Sequence, residues 1–299
     1  MNLLVTGAWG GAKEHIPELE RCGHTVVLMQ YEKDELPCPP DWVEGVICNG
    51  LFLHHPIEGF LNLRCIQLTS AGFDRVPMEY VRAHGIEIRS ARGVYSVPMA
   101  EYAVSGVLQL YKQASFFREN QKLHRWEKHR GLLELSAKTV CIVGCGSVGG
   151  ECARRFQAFG CRVIGIATTE REQAFFDTVR PIKALDNVLS GADIVILCVP
   201  LTETTAGLMN ADRIARMKPD TVLVNISRGA VADEAALTEA LANHRIGGAV
   251  LDVFTEEPLA QESPLWDMEN VIVTPHNSFV GEGNGERLAE AIIGPLRNE

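Results

Sequence analysis

The sequence predicts an α/β fold built on parallel sheets. Three features point to it. Short apolar, β-branched runs recur along the chain with helical patterns between them, and strands buried on both faces read that way. One run, Val140, Ile142 and Val143, leads into Gly144, Gly146 and Gly149 at GxGxxG spacing, then a helical pattern over 148–159, a stop at Gly160 and a second strand over 162–166. Further strands, 193–199, 221–226, 248–253 and 271–274, end in polar or small residues. That is the edge at which open parallel sheets bind ligands.

The chain has 299 residues, 46% of them hydrophobic, enough for two domains rather than one. A formal net charge of −10 argues against a nucleic-acid surface. The nine cysteines are odd in number, scattered and without a CxxC. Cys48, Cys65, Cys141 and Cys198 lie in apolar strand patterns and read as buried thiols of a reducing cytoplasm. Cys145, inside the glycine turn, is either oxidisable or an inert filler. The start, MNLLVTGAWGG, lacks the features of a signal peptide, and no run reaches the ~18 apolar residues of a membrane span. No metal is expected: His124 and His129 are spaced wrongly to share a helix face.

Residues 1–95 read as a small α/β unit, with strands at 3–6, Thr25–Met29, Gly45–Cys48, Cys65–Leu68 and 86–89 and helices at 12–22 and 77–83. Gly7, Gly10 and Gly11 do not fit nucleotide-loop spacing and read as a turn. Two strand-end loops stand out, Asn49-Gly50-Leu51-Phe52 and Thr69-Ser70-Ala71-Gly72-Phe73. Their small residues expose backbone N–H groups suited to a carboxylate, although each also reads as an ordinary connection. Asn49, Gly50, Leu51, Ser70, Ala71 and Gly72 are therefore the substrate candidates. A helix is expected over 98–112, with Pro98 in its first turn, and a more polar helical stretch to His129. Trp126 among charged residues either anchors a partner subunit or caps the local core.

The glycine turn suits a dinucleotide. The first glycine permits the turn, the second lets a pyrophosphate approach, and the third lets helix pack on strand. Gly146, Ser147 and Val148 open the helix whose N–H groups would face the phosphates. An acid at the end of the second strand usually holds the ribose of NAD, whereas an Arg suits the 2′-phosphate of NADP. Here Ala167 takes the acid's place, followed by Thr168, Thr169, Glu170 and Arg171. That tilts towards NADP, while Glu170 keeps NAD open.

Taken together, ELSAKTVCIVGCGSVGG, ADIVILCVPLTETTAGLMN, VNISRGAVADEAAL, GAVLDVFTEEPL and VIVTPH, in this order, resemble the D-isomer-specific 2-hydroxyacid dehydrogenases. The resemblance covers nearly the whole chain. It implies a Rossmann-type doubly wound sheet at 96–282, inserted into a smaller flavodoxin-like substrate domain made of 1–95 and 283–299, with crossings near 95–98 and 280–284. The family's catalytic Arg, Glu and His map onto Arg228, Glu257 and His276, and its nicotinamide-side Asp onto Asp252. Val199, Pro200, Thr205, Ile226 and Ser227 complete the implied cofactor contacts, and a homodimer is implied. There are departures. Cys141 stands where glycine is commoner, the acid after the second strand is missing, HNSFVGEGN is not the usual glycine-rich continuation, and the C-terminal return is short.

The chemistry suits a hydride transfer between NAD(P) and a small 2-oxo or 2-hydroxy acid. Arg228 offers a planar fork for a carboxylate, His276 a proton, and Glu257 a carboxylate to orient the imidazole. Singly each has a bland reading: a surface charge, a solvated acid, a turn histidine. Leu51, Phe52 and Phe279 suggest an apolar pocket for glyoxylate, hydroxypyruvate or larger 2-oxo acids. Arg75 and Arg92 leave phosphoglycerate-type chemistry open, and a non-catalytic NAD(P)-sensing protein on the same fold is the alternative of another class.

Overall fold

The structure is a computed structural model and describes residues 1–297. The chain divides into two compact units. One comprises Met1–Tyr95 and the stretch from Gly281 onward, and the other Ser96–Val280.

The first unit carries β1 (Asn2–Thr6), α1 (Ala12–Arg21), β2 (Thr25–Met29), β3 (Gly45–Cys48), β4 (Cys65–Leu68), α2 (Met78–Ala83) and β5 (Glu87–Arg89). They form one parallel sheet in the order β2-β1-β3-β4-β5, the flavodoxin-like arrangement. Successive side chains of a strand point to opposite faces, and β1 shows it. Leu4 packs with Val46, Ile66 and Val81, while Leu3 and Val5 pack with Leu19 of α1 and with Leu288, Ile292 and Leu296 of the C-terminal helix, Asn284–Leu296. That helix is further tied down where the buried His24 ring meets the Leu296 carbonyl at 3.0 Å.

The second unit begins with α3 (Ser96–Tyr111) and α4 (Ala114–Lys122). It continues through β6 (Thr139–Val143), α5 (Ser147–Ala158), β7 (Arg162–Ala167), β8 (Thr178–Pro181), α6 (Leu185–Leu189) and β9 (Ile194–Leu197). Then come α7 (Ala211–Ile214), β10 (Val222–Asn225), α8 (Glu234–Ala242), β11 (Gly248–Leu251) and β12 (Val271–Val273). The sheet order is β12-β11-β10-β9-β6-β7-β8, all parallel. Counted from β6 this is the Rossmann order with one added edge strand, and it reverses between β6 and β9. On one face Ile142, Ile196, Val224 and Val250 meet Phe156 of α5 and Val107 of α3. On the other Val143, Leu197, Leu223 and Leu251 meet Leu189 and Leu241. Each such side chain contributes about 1.5–3 kcal/mol on burial.

Two elements differ from the sequence reading. The polar helix expected to run to His129 stops at Lys122. His124 is left-handed at φ 55°, its N–H bonds Gln121 O, and Arg125 N–H returns to Asn120 O at 2.8 Å. That is a Schellman ending closed by a histidine where a glycine would have announced it. β8, a four-residue edge strand ending in a proline, had no apolar run to reveal it.

Candidate active site

The cradle at the β6–α5 turn follows from backbone contact. A Cβ on Gly149 would lie 1.9 Å from the Gly144 carbonyl oxygen, and Gly144 itself sits at φ 105°. Helix α5 starts from Gly146 with no side-chain cap, so its first N–H groups are left to a ligand or to water. Past β7, Thr168 and Thr169 are exposed. Arg171 Nη2 donates to the Cys145 carbonyl at 3.3 Å, Arg171 Nε to Gln173 at 3.0 Å, and Gln173 Nε2 to the same carbonyl at 3.0 Å. Glu170 turns the other way and pairs with Arg180 at 3.1 Å. Burial pushes the Cys145 thiol up to about 11, with the Arg171 charge acting against it, so the thiol is protonated at neutral pH and reads as a filler.

Beyond β9, Thr205 closes the turn from Val199 and Pro200. Its hydroxyl donates to the Pro200 carbonyl at 2.6 Å and accepts from Thr202 N–H at 2.8 Å. Beyond β10, Ile226 and Ser227 are buried, and the Ser227 hydroxyl donates to Asn225 Oδ1 at 2.8 Å. A bare helix start, a glycine cradle and a cation over its edge fit a dinucleotide.

Glu257 and His276 come together. His276 Nδ1 lies 2.8 Å from Glu257 Oε2, and Glu257 Oε1 accepts from Phe254 N–H at 3.0 Å. An ionised carboxylate only accepts, so Nδ1 carries the hydrogen and Nε2 is the atom left for substrate. Phe279 lies edge-on to the His276 ring, with centroids 6.2 Å apart. Arg228 leaves β10 in an extended conformation; its Nη1 donates to the Ser227 carbonyl at 2.8 Å, and Asn225 Nδ2 holds the Arg228 carbonyl at 3.1 Å. A Cβ on Gly229 would lie 1.9 Å from the Phe254 carbonyl carbon, so the arginine turn and the strand end leading to Glu257 touch backbone to backbone. Gly229 is among the small residues that mark this strand end in the sequence, whereas Asn225, inside the same VNISRG motif, carries no such signal.

Asp252 differs from the expectation that it faces the nicotinamide. It is fully buried, and its oxygens turn to the segment around His276. Oδ1 accepts from the Thr274 hydroxyl at 2.6 Å and Asn277 N–H at 2.7 Å, and Oδ2 from Ser278 N–H at 2.9 Å. The Tyr102 hydroxyl meets Thr274 Oγ1 at 2.6 Å. Thr274 already donates to the carboxylate, so Tyr102 donates to Thr274. Burial, helped by the Asp252 charge and opposed by the Thr274 bond, pushes the Tyr102 phenol up to about 12.

In the first unit the loop after β3 is also not arranged as expected. The Asn49 and Gly50 N–H groups donate at 2.7 Å to the chain's own Glu32, which leaves neither amide for a substrate carboxylate. Leu51 is fully buried beneath the turn. In the loop after β4, the Ser70 hydroxyl donates to the Gly72 carbonyl at 3.2 Å, and Ala71 is exposed. Glu32 was not foreseen: in YEKDE it reads as one of a run of solvated charges.

Residues 104–278 match the model of the NAD binding domain of the D-isomer specific 2-hydroxyacid dehydrogenases. The chain is 33% identical over 241 residues to the (S)-sulfolactate dehydrogenase of Chromohalobacter salexigens, across 80% of this chain and 78% of that one. It is 34% identical over 248 residues to the glyoxylate reductase of Pyrococcus furiosus, across 79% and 72%. Its fold matches the D-isomer specific 2-hydroxyacid dehydrogenase of Xanthobacter autotrophicus, solved with NADPH and MES, at a TM-score of 0.80 and 27% identity, across 99% and 94%. A family model spanning more than half the chain agrees with relatives a third identical over most of their length. The chain therefore belongs to the D-isomer-specific 2-hydroxyacid dehydrogenases and is an NAD(P)-dependent oxidoreductase acting between 2-hydroxy and 2-oxo acids.

Proposed function

We propose that this enzyme works mainly as an NADPH-dependent reductase of small 2-oxo acids, with His276 as proton donor, Glu257 as its orienting carboxylate and Arg228 as the carboxylate holder. The His276–Glu257 bond at 2.8 Å carries the proposal. It fixes the ring and directs Nε2 outward, where a protonated imidazole gives its proton to the developing alkoxide and Glu257 stabilises the charged ring. The guanidinium of Arg228 provides parallel N–H donors for a carboxylate and polarises the neighbouring carbonyl oxygen. When bound, the reduced nicotinamide supplies the hydride. The glycine cradle from Gly144 to Gly149 holds its pyrophosphate. Thr168, Thr169 and Arg171 hold the 2′-phosphate, supported by Arg171 lying at the cradle while Glu170 is paired away with Arg180.

We read the first unit as the substrate-recognition unit, with the turn that Leu51 anchors and the Ser70-Ala71-Gly72 loop as its contacts. Glyoxylate and hydroxypyruvate are the proposed substrates, in keeping with the relatives named glyoxylate reductases. Cys48, Cys141, Cys152 and Cys161 are buried thiols, which suits the cytoplasm. No helix among the described residues is long and apolar enough to cross a membrane. A homodimer is proposed on the exposed Trp126.

The test is a panel of 2-oxo acids followed with NADH and with NADPH. NADPH should be preferred in kcat/KM by about 10-fold, and Arg171→Ala should erase most of that preference with little change in the NADH values. Turnover of no 2-oxo acid rejects the reductase, and equal or better kcat/KM with NADH rejects the cofactor assignment.

A further inference from the structure

At the carboxyl ends of β1 and β3 the first sheet reverses its strand order, the place where sheets of this order bind anionic ligands. Here the place is filled from within. Glu32, just past β2, directs Oε1 to the Thr6 hydroxyl at 2.8 Å and the Asn49 N–H at 2.7 Å, and Oε2 to the Gly50 N–H at 2.7 Å. The backbone carbonyl of the same residue meets the His55 ring at 2.9 Å. Between these two attachments lies a tight turn, Leu51–Leu53, closed by Leu53 N–H to Gly50 O and by His54 and His55 N–H to Leu51 O. It roots Leu51 in the core, sets Phe52 edge-on to Phe60 against that core, and presents Leu53, 62% exposed. A single residue thus grips both ends of the turn, and three charge-assisted bonds on one carboxylate make the stronger grip.

We propose that Glu32 is a positioning residue for substrate recognition: its carboxylate is a built-in anion that seats the 49–53 turn. The inference rests on the reading of that turn as a substrate element. Glu32 touches no reacting atom. It acts through the turn, so its loss changes the affinity for the 2-oxo acid and leaves hydride transfer and cofactor binding alone.

The test uses Glu32→Ala and Glu32→Gln in the full chain, with the best 2-oxo acid of the panel. In Glu32→Ala the KM for the 2-oxo acid should rise about ten-fold, with kcat and the KM for NADPH within about two-fold. Acetate, the fragment the substitution deletes, should restore much of the KM at tens of millimolar, while it only inhibits the unmutated protein. Glu32→Gln keeps one acceptor oxygen but sets an NH2 group against an amide, so its KM should fall between. The Asn49 and Gly50 amide signals should move upfield and exchange faster in Glu32→Ala and recover with acetate, a readout independent of turnover. Unchanged KM in both variants overturns the inference, and so does an amide pair that ignores the substitution. Leu53→Ala, at the side chain the turn exposes, separates the two ways of failing. If it raises KM and the Glu32 variants do not, Glu32 alone is misassigned. If none of them alters KM in an active enzyme, the turn is not a substrate element and both readings fall.

Discussion

His276 holds φ 51°, a left-handed backbone that a non-glycine residue adopts only when its surroundings impose it. The surroundings are Asp252, whose carbonyl takes the His276 N–H at 2.8 Å while its side chain takes the residues on either side. His276→Asn is expected to lower kcat by about 100-fold or more, since positioned acid–base catalysis contributes ~10²–10⁴. Glu257→Gln should lower it less and shift the pH profile, and near-normal turnover in His276→Asn would show that the proton comes from elsewhere. A finer expectation concerns Tyr102, whose hydroxyl ends the relay through Thr274 to Asp252. Tyr102→Phe keeps the ring and deletes one half-buried hydrogen bond, worth about 1 kcal/mol. We expect kcat to fall by about five-fold with the KM for NADPH unchanged, whereas an unchanged kcat would make the bond purely structural. The pairing of Glu257 with His276 was legible because each sits in a short motif. Tyr102 and Glu32 were not: Tyr102 meets Thr274 from 172 residues away, and Glu32 meets Asn49 from 17, through side chains that leave no mark on local periodicity.

Strands were the most legible elements, because β3, β4, β9, β10 and β11 are buried at every residue and, apart from Gln67 and Asn225, read as apolar runs. The lacing of their amino ends was hidden. Asp193 accepts from Lys218 Nζ at 2.5 Å and from Thr139 N–H at 2.7 Å, with Lys138 at 3.9 Å, and so joins the starts of β6, β9 and β10. Burial acts to raise its carboxyl, but the Lys218 and Thr139 bonds outweigh it and hold the group below the usual carboxylate range. A depressed folded-state value means stability that is present above the unfolded value, near 3.9, and is lost as pH falls through the folded one. Asp193→Asn should therefore destabilise the protein by about 1.5–3 kcal/mol at pH 7. The gap to the unmutated protein should close as denaturation is followed into acid below the unfolded value. A gap that persists there would mean that shape and not charge holds these strands together.

At the scale of the whole molecule the open question is what covers the stretch after α4. It departs from helix at His124 and presents Leu123, Trp126, Leu132 and Leu133 to solvent, with Trp126 96% exposed. The reading of Trp126 as a cap on its own core does not survive that exposure. Nor is the stretch an ordinary solvated loop, because an indole left in water is a large apolar area unused. Its charge is opposite to that of the chain: Arg125, Lys128 and Arg130 stand against Glu127 in a protein of formal net charge −10. The same unit carries a groove of about 620 Å³, lined by Val104 and Leu108 of α3 and by Phe159 just past α5, with Glu101 and Arg155 paired at 2.8 Å beside it. The homodimer proposed above would cover both features if the aromatic stretch of each copy met the apolar groove of the other. Sedimentation should therefore show a dimer. Trp126→Ser should weaken it by about 30-fold, the loss expected for a tryptophan at the centre of an interface, with the folded mass and spectrum of each chain kept. A monomer in the unmutated protein, or a dimer indifferent to Trp126→Ser, would assign the stretch to another partner.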